Sequence, residues 1–225
     1  MWEEGLPRAF DVPERIRHEI VAGILPFGGR VTIDELASRY GVSHMPVREA
    51  LRELRGEGLV VIEPNRGAHI RPVDRKFVSN LFETRSALEI MLSRRAADRF
   101  RAADAAELER IEDELESEIA RGNWDAVLAS NRRFHQLVNR VADNPDAVFL
   151  VDRHWLLIAA LWQRYGYGSE RFAGVASDHR HLIKCFRSND AEGAAVLMGS
   201  HVLKARQELV ERMGTAAPAA AMAAG

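Results

Sequence analysis

The chain has 225 residues, 47% of them hydrophobic, enough for one large domain or two modest ones with buried cores. A net charge of -2 excludes a strongly basic overall field, so any hold on a polyanion has to come from a local set of Arg side chains. The single cysteine, Cys185, excludes an intrachain disulfide, and the longest apolar run, 155–162, is too short to span a membrane; with an acidic start lacking a signal core, this predicts a cytoplasmic protein.

Val12, Ile16 and Ile20 recur at helical spacing up to Gly23 and predict a first helix, after which Pro26, Gly28 and Gly29 predict a loop. Thr32 and Glu35 have capping-box spacing for a second helix, which turns Leu36, Ala37 and Tyr40 inward and ends at Gly41. Ser43 can cap a third, with Pro46 in its first turn and Val47, Ala50, Leu51 and Leu54 as its apolar stripe. Two short helices across a glycine turn predict a helix-turn-helix. Beyond Gly58, the stretches 59–62 and 68–70 flank Pro64, Asn65, Arg66 and Gly67, predicting a hairpin with a basic tip, or wing.

Pro72 then breaks structure and Asp74 can cap a new helix. Almost everything after it reads at helical period, with helices expected at 74–100, 103–121, 123–142, 145–165, 172–188 and 190–212. The expected architecture is mainly α: a winged helix-turn-helix over 1–72, an antiparallel all-helical bundle over 73–213, and a disordered Ala-rich tail over 214–225.

The run from Leu36 to Leu51, followed by Glu57-Gly58-Leu59-Val60 and Asn65-Arg66-Gly67, resembles the GntR family of bacterial regulators. The helical remainder resembles the effector (FCD) domain of its FadR-like branch, through 81–89, Asn131-Arg132-Arg133-Phe134-His135, Asp178-His179-Arg180 and Ser200-His201-Val202. The resemblance implies a homodimer that binds operator DNA, usually as a repressor relieved by a small effector.

A recognition helix turns its N-terminal end and outer face to the major groove. Opposite the apolar stripe stand Ser43, His44, Arg48, Arg52 and Arg55. No acidic residue lies three or four positions from Arg48, so an intrahelical ion pair does not account for it, whereas a bidentate pair with guanine does. The resemblance supports that role and departs at His44 and Met45, where the family usually has Arg and Thr. Arg66 beside Gly67 can reach a phosphate or the minor groove.

In the helical segment, Asn131 and His135 share one face of a helix, while His179 and His201 lie on two others. Taken alone, three scattered His are ordinary core or surface residues. The resemblance implies a metal site, since the family's metal-binding members hold a carboxylate and three His at the matching positions; the departure is Asn131, whose neutral amide is a weaker donor. Zinc or nickel suits such a set. His154 and His181 are expected to be structural or surface residues. Arg85 has two readings: an intrahelical ion pair with Glu89, or, by the resemblance, a pocket residue that takes the carboxylate of an organic-acid effector. That effector class follows if neutral ligands leave the metal charge uncompensated.

Two other functions compete. Three His with an open position also suit a hydrolytic metalloenzyme, but no carboxylate is evidently placed as its base and an enzyme needs no helix-turn-helix. A winged helix serving only protein contacts is the third reading.

Overall fold

In the computed structural model, residues 11–63, 67–166 and 169–215 are described. The chain divides into two compact units, Met1–Val73 with Arg153–Arg164, and Asp74–Asp152 with Tyr165–Gly225.

In the first unit, α1 (Val12–Val21) buries Val12, Ile16 and Ile20 and is capped by Asp11, whose Oδ1 accepts the Glu14 N–H at 3.1 Å. After β1 (Arg30–Val31), Thr32 caps α2 (Ile33–Tyr40) by accepting the Glu35 N–H at 3.1 Å. Gly41 ends that helix at φ +65°, a left-handed conformation that favours glycine. Ser43 precedes α3 (His44–Gly56), which buries Val47, Ala50, Leu51 and Leu54 as expected, but its hydroxyl makes no capping bond. β2 (Val60–Glu63) and β3 (Gly67–Ile70) pair antiparallel with Ile62 opposite Ala68, and β1 joins the other edge of β3 in the order β1-β3-β2. Strand β1 was not anticipated, because two residues show no alternation and only pairing with β3 makes them a strand. The expected wing tip at 64–66, including Arg66, lies outside the described residues.

Buried charge joins the helices of this unit. Glu19 is almost fully buried, yet its carboxylate meets Arg15 Nε at 3.0 Å, Arg39 Nη1 at 3.1 Å and the Tyr40 hydroxyl at 3.0 Å, tying α1 to α2. Arg17 ties α1 to α3 through Glu53 and Glu57.

The second unit opens on α4 (Arg75–Ala97), capped by Asp74 through the Phe77 N–H at 2.6 Å. It continues with α5 (Ala102–Arg121), α6 (Trp124–Ala142) and α7 (Pro145–Asp152), passes α8 (Trp155–Tyr165), and ends with α9 (Ser169–Arg187) and α10 (Ala191–Thr215). α10 runs antiparallel along α4, with Glu192 on Arg94 and Glu83 on Arg206, and α9 runs antiparallel along α5. The approach of α10 to α4 is close at Gly199, where a Cβ would stand 2.8 Å from Ile90 Cδ1.

The helix expected over 145–165 is two helices, parted at Arg153 and His154. No Gly or Pro stands there; the break comes where the chain leaves the second unit for the first, so most of α8 groups with the winged unit. α10 extends to Thr215, so the first two residues of the expected disordered tail are helical; 216–225 lie outside the described residues.

Burial by itself raises the Glu19 carboxyl pKa, but Tyr40, Arg15 and Arg39 outweigh it and hold the pKa below the ordinary value. The folded pKa is depressed, so the resulting stability is complete above the ordinary glutamate pKa and is lost as pH falls through the lowered one. Glu19→Gln is expected to cost about 1–3 kcal/mol at neutral pH and to flatten the acid limb; urea midpoints measured from pH 7 to pH 3 check both.

Candidate functional site

The winged unit presents an arginine face. Arg48 and Arg52 project from α3 on the side opposite its buried stripe, and both are exposed. With Arg30 of β1, Thr32, Ile33, Leu51, Ile62 and Gly67 they line one cleft of about 390 Å³ between α3 and the wing. Gly67 has φ +83° and is exposed at the start of β3. His44 opens α3 with its Nε2 3.2 Å from Asp34 Oδ1, both groups largely in solvent. Arg30 was missed in the sequence, because only the β1–β3 pairing carries it to α3.

In the second unit the three expected histidines meet. His135 of α6, His179 of α9 and His201 of α10 are all buried, and one ring nitrogen from each lies within 4.8 Å of the others. Phe134 stacks on His179 with ring centroids 3.8 Å apart and planes 4° off parallel, which fixes that imidazole. Each ring also has a carboxylate beside its Nδ1, hydrogen-bonded at His179 and His201 and at ion-pair distance at His135. His135 Nδ1 lies 2.8 Å from Glu89 Oε2 of α4, His179 Nδ1 lies 2.7 Å from Glu112 Oε2 of α5, and His201 Nδ1 lies 3.2 Å from Asp178 Oδ2 of α9. A carboxylate on Nδ1 leaves Nε2 to act as donor to a metal.

Burial pushes the His201 imidazolium down to about 3 and lowers that of His179, so both rings are neutral near pH 7, the state a metal ligand needs. His179 Nε2 and Asn131 Oδ1 are buried without a hydrogen-bond partner among the described residues. Asn131 is one turn before His135 and shares its face of α6, and the three clustered rings by themselves form a nitrogen donor set that suits a divalent transition metal. His181 is exposed and turns to the Ser177 carbonyl at 2.7 Å; His154 precedes α8, in the other unit.

Arg85 and Glu89 form the intrahelical ion pair at 2.5 Å, with both side chains buried. Burial would raise the Glu89 carboxyl, but Arg85 and then His135 hold it down at about 2. Asp178 is likewise brought to about 2 against its desolvation by His201 and Lys204, whose Nζ stands 2.7 Å from Oδ1. The charge expectation changes accordingly. Neutral first ligands do not leave a metal alone in this core, since three carboxylates stand directly behind the rings. Their roles were not legible in the sequence: Glu89 reads only as a partner for Arg85, and Glu112 lies in an acidic helix without distinction. Asp152, which burial pushes upward against Arg132 and Arg85, is another residue the spacing did not mark.

Residues 9–70 match the model of the bacterial regulatory proteins of the gntR family, and residues 80–204 match the FCD domain. The HTH-type transcriptional repressor RspR of Escherichia coli (strain K12) is 31% identical over 128 residues, 57% of this chain and 56% of that protein, so the chain spans little more than half the length of this relative. A "Probable D-xylose utilization operon transcriptional repressor" of Paenarthrobacter nicotinovorans is 30% identical over 205 residues, 86% of this chain and 85% of the relative. The solved structure of E. coli McbR/YncC matches with a TM-score of 0.74 over 92% of this chain and 99% of that one, at 19% identity, a likeness of fold.

Replacing His135, His179 or His201 singly is expected to remove most bound zinc or nickel, whereas His154→Ala and His181→Ala leave it unchanged. Elemental analysis after dialysis against each metal measures this.

Proposed function

The chain belongs to the gntR family of bacterial regulatory proteins, and on that basis we propose a DNA-binding repressor, acting as a homodimer, that a small organic acid at a metal-holding site releases from its operator. The observation that carries the DNA reading is the cleft where Arg30, Arg48 and Arg52 converge with the recognition helix and the wing. Arg48, one turn into α3, is the base reader; Arg52 and Arg30 neutralise phosphates and Gly67 allows close approach of the wing. Ser43 and His44 complete the N-terminal end of α3, and Arg66 adds the tip contact read from the sequence. Repression as the sign of regulation is supported by the names of the two relatives above. Two half-sites are needed because one short helix contacts too few base pairs for useful affinity, which supports a dimer.

The metalloenzyme reading loses its ground. Family membership points to a regulator, and among the described residues Glu89, Glu112 and Asp178 beside the His cluster are each engaged by an imidazole.

For the effector, charge remains the support, in a revised form. A divalent ion would face Glu89, Glu112 and Asp178, while Arg85 and Lys204 already hold two of those carboxylates. Positive charge then exceeds negative by one, which a monoanionic carboxylate balances. Release from DNA further requires that the acid bind the DNA-free state more tightly, since equal affinity shifts nothing.

Arg48→Ala is expected to weaken operator binding by about 1–3 kcal/mol and to relax preference at one base per half-site, while Arg30→Ala weakens all sequences alike and lowers the salt slope by about 1. Gel shifts with the protein's own upstream region at several salt concentrations separate them; equal loss for Arg48→Ala on specific and random DNA would sink its role as base reader. Metal-loaded protein should gain thermal stability from a small carboxylate and lose operator binding with it. Stabilisation by neutral sugars and by no carboxylate would overturn the effector class.

A further inference from the structure

The three carboxylates behind the histidines are not alike. Glu89 is paired with Arg85, and Asp178 with Lys204. Glu112 is fully buried, with one oxygen 2.7 Å from His179 Nδ1 and the other without a hydrogen-bond partner, and among the described residues no Lys or Arg forms an ion pair with it. A carboxylate enclosed with only an imidazole for company costs several kcal/mol unless a cation stands nearby. A cation can act on it through the ring: His179 is stacked on Phe134, its Nε2 has no hydrogen-bond partner among the described residues, and the ring belongs to the cluster formed with His135 and His201. Asn131, meanwhile, brings no charge to the donor set.

We infer that Glu112 is a positioning residue that, acting through His179, supplies the counter-charge of the metal site in place of the charge Asn131 lacks, and so sets how tightly a divalent transition-metal ion is held. This rests on the metal reading proposed above. The hydrogen bond fixes the ring so that Nε2 faces the ion, and the negative charge behind the ring makes that nitrogen a better donor.

The test is a chelator-competition titration of zinc into metal-stripped, full-length protein, with thermal unfolding of the metal-free forms alongside. Glu112→Gln, which keeps an acceptor for the Nδ1–H and removes only charge, should weaken zinc about 10–100-fold at unchanged stoichiometry. Asn131→Asp in the same chain should restore most of that loss by returning the charge to the other side of the metal. Zinc affinity equal to wild type in Glu112→Gln, whatever happens to its melting temperature, overturns the inference and leaves the metal reading intact; so does a double variant no tighter than Glu112→Gln. Should Glu112→Gln fail to fold, Asn131→Asp alone decides: a gain of about tenfold or less agrees with a counter-charge already in place, and a larger one overturns it. A wild-type protein that binds neither zinc nor nickel overturns the metal reading itself, and the inference with it.

Discussion

Three buried imidazoles, two buried carboxylates and the partly buried Asp178 have to satisfy one another in the helical unit, and the placement of the helices follows from that requirement. Glu89 on His135 sets α4 against α6, Glu112 on His179 sets α5 against α9, and Asp178 on His201 sets α9 against α10. Each contact joins two elements at a single level, so the register of five helices is fixed by polar partners as well as by apolar area. A slip of one turn of α4 on α6 or of α5 on α9 would leave the buried charge of Glu89 or Glu112 without its imidazole, which costs more than the loss of a few methylene contacts. Phe134 adds the apolar part of the same constraint by pressing flat against His179.

The winged unit solves a different problem with the same physics. Its helices are held from within by Glu19 and Arg17, whose partners lie on neighbouring helices, so the arginines of α3 and β1 are left exposed on a face of their own. That separation explains how a chain with a net charge of -2 can present a local cationic surface. Affinity for a polyanion depends on the arrangement of a few guanidinium groups, and the rest of the charge balance is spent on internal pairs.

Taken together, the two units suit a regulator better than a catalyst. A catalytic metal site keeps a base at hand, whereas among the described residues the carboxylates beside the three histidines are paired with their rings. A buried polar cluster held by its own counter-charges is suited to binding, and binding energy that differs between two states is all a ligand-controlled regulator requires.

Much of this was legible in the residues themselves. Apolar spacing in α1 to α3, the caps Thr32 and Asp74, and the glycine at 41 report short-range backbone chemistry, which is local and so survives in a linear reading. The same holds for the face shared by Asn131 and His135, since helical periodicity alone sets it. What the tertiary structure decided was every relation between distant segments. Strand β1 exists because β3 lies beside it; the helix expected over 145–165 parts where the chain changes unit; Arg30 reaches the recognition helix by a pairing no spacing encodes. Glu112 is the clearest case. It sits 67 residues from His179 in an acidic helix and reads as one more solvated charge, and only the packing of α5 on α9 makes it a buried partner, because burial and proximity are properties of the folded chain.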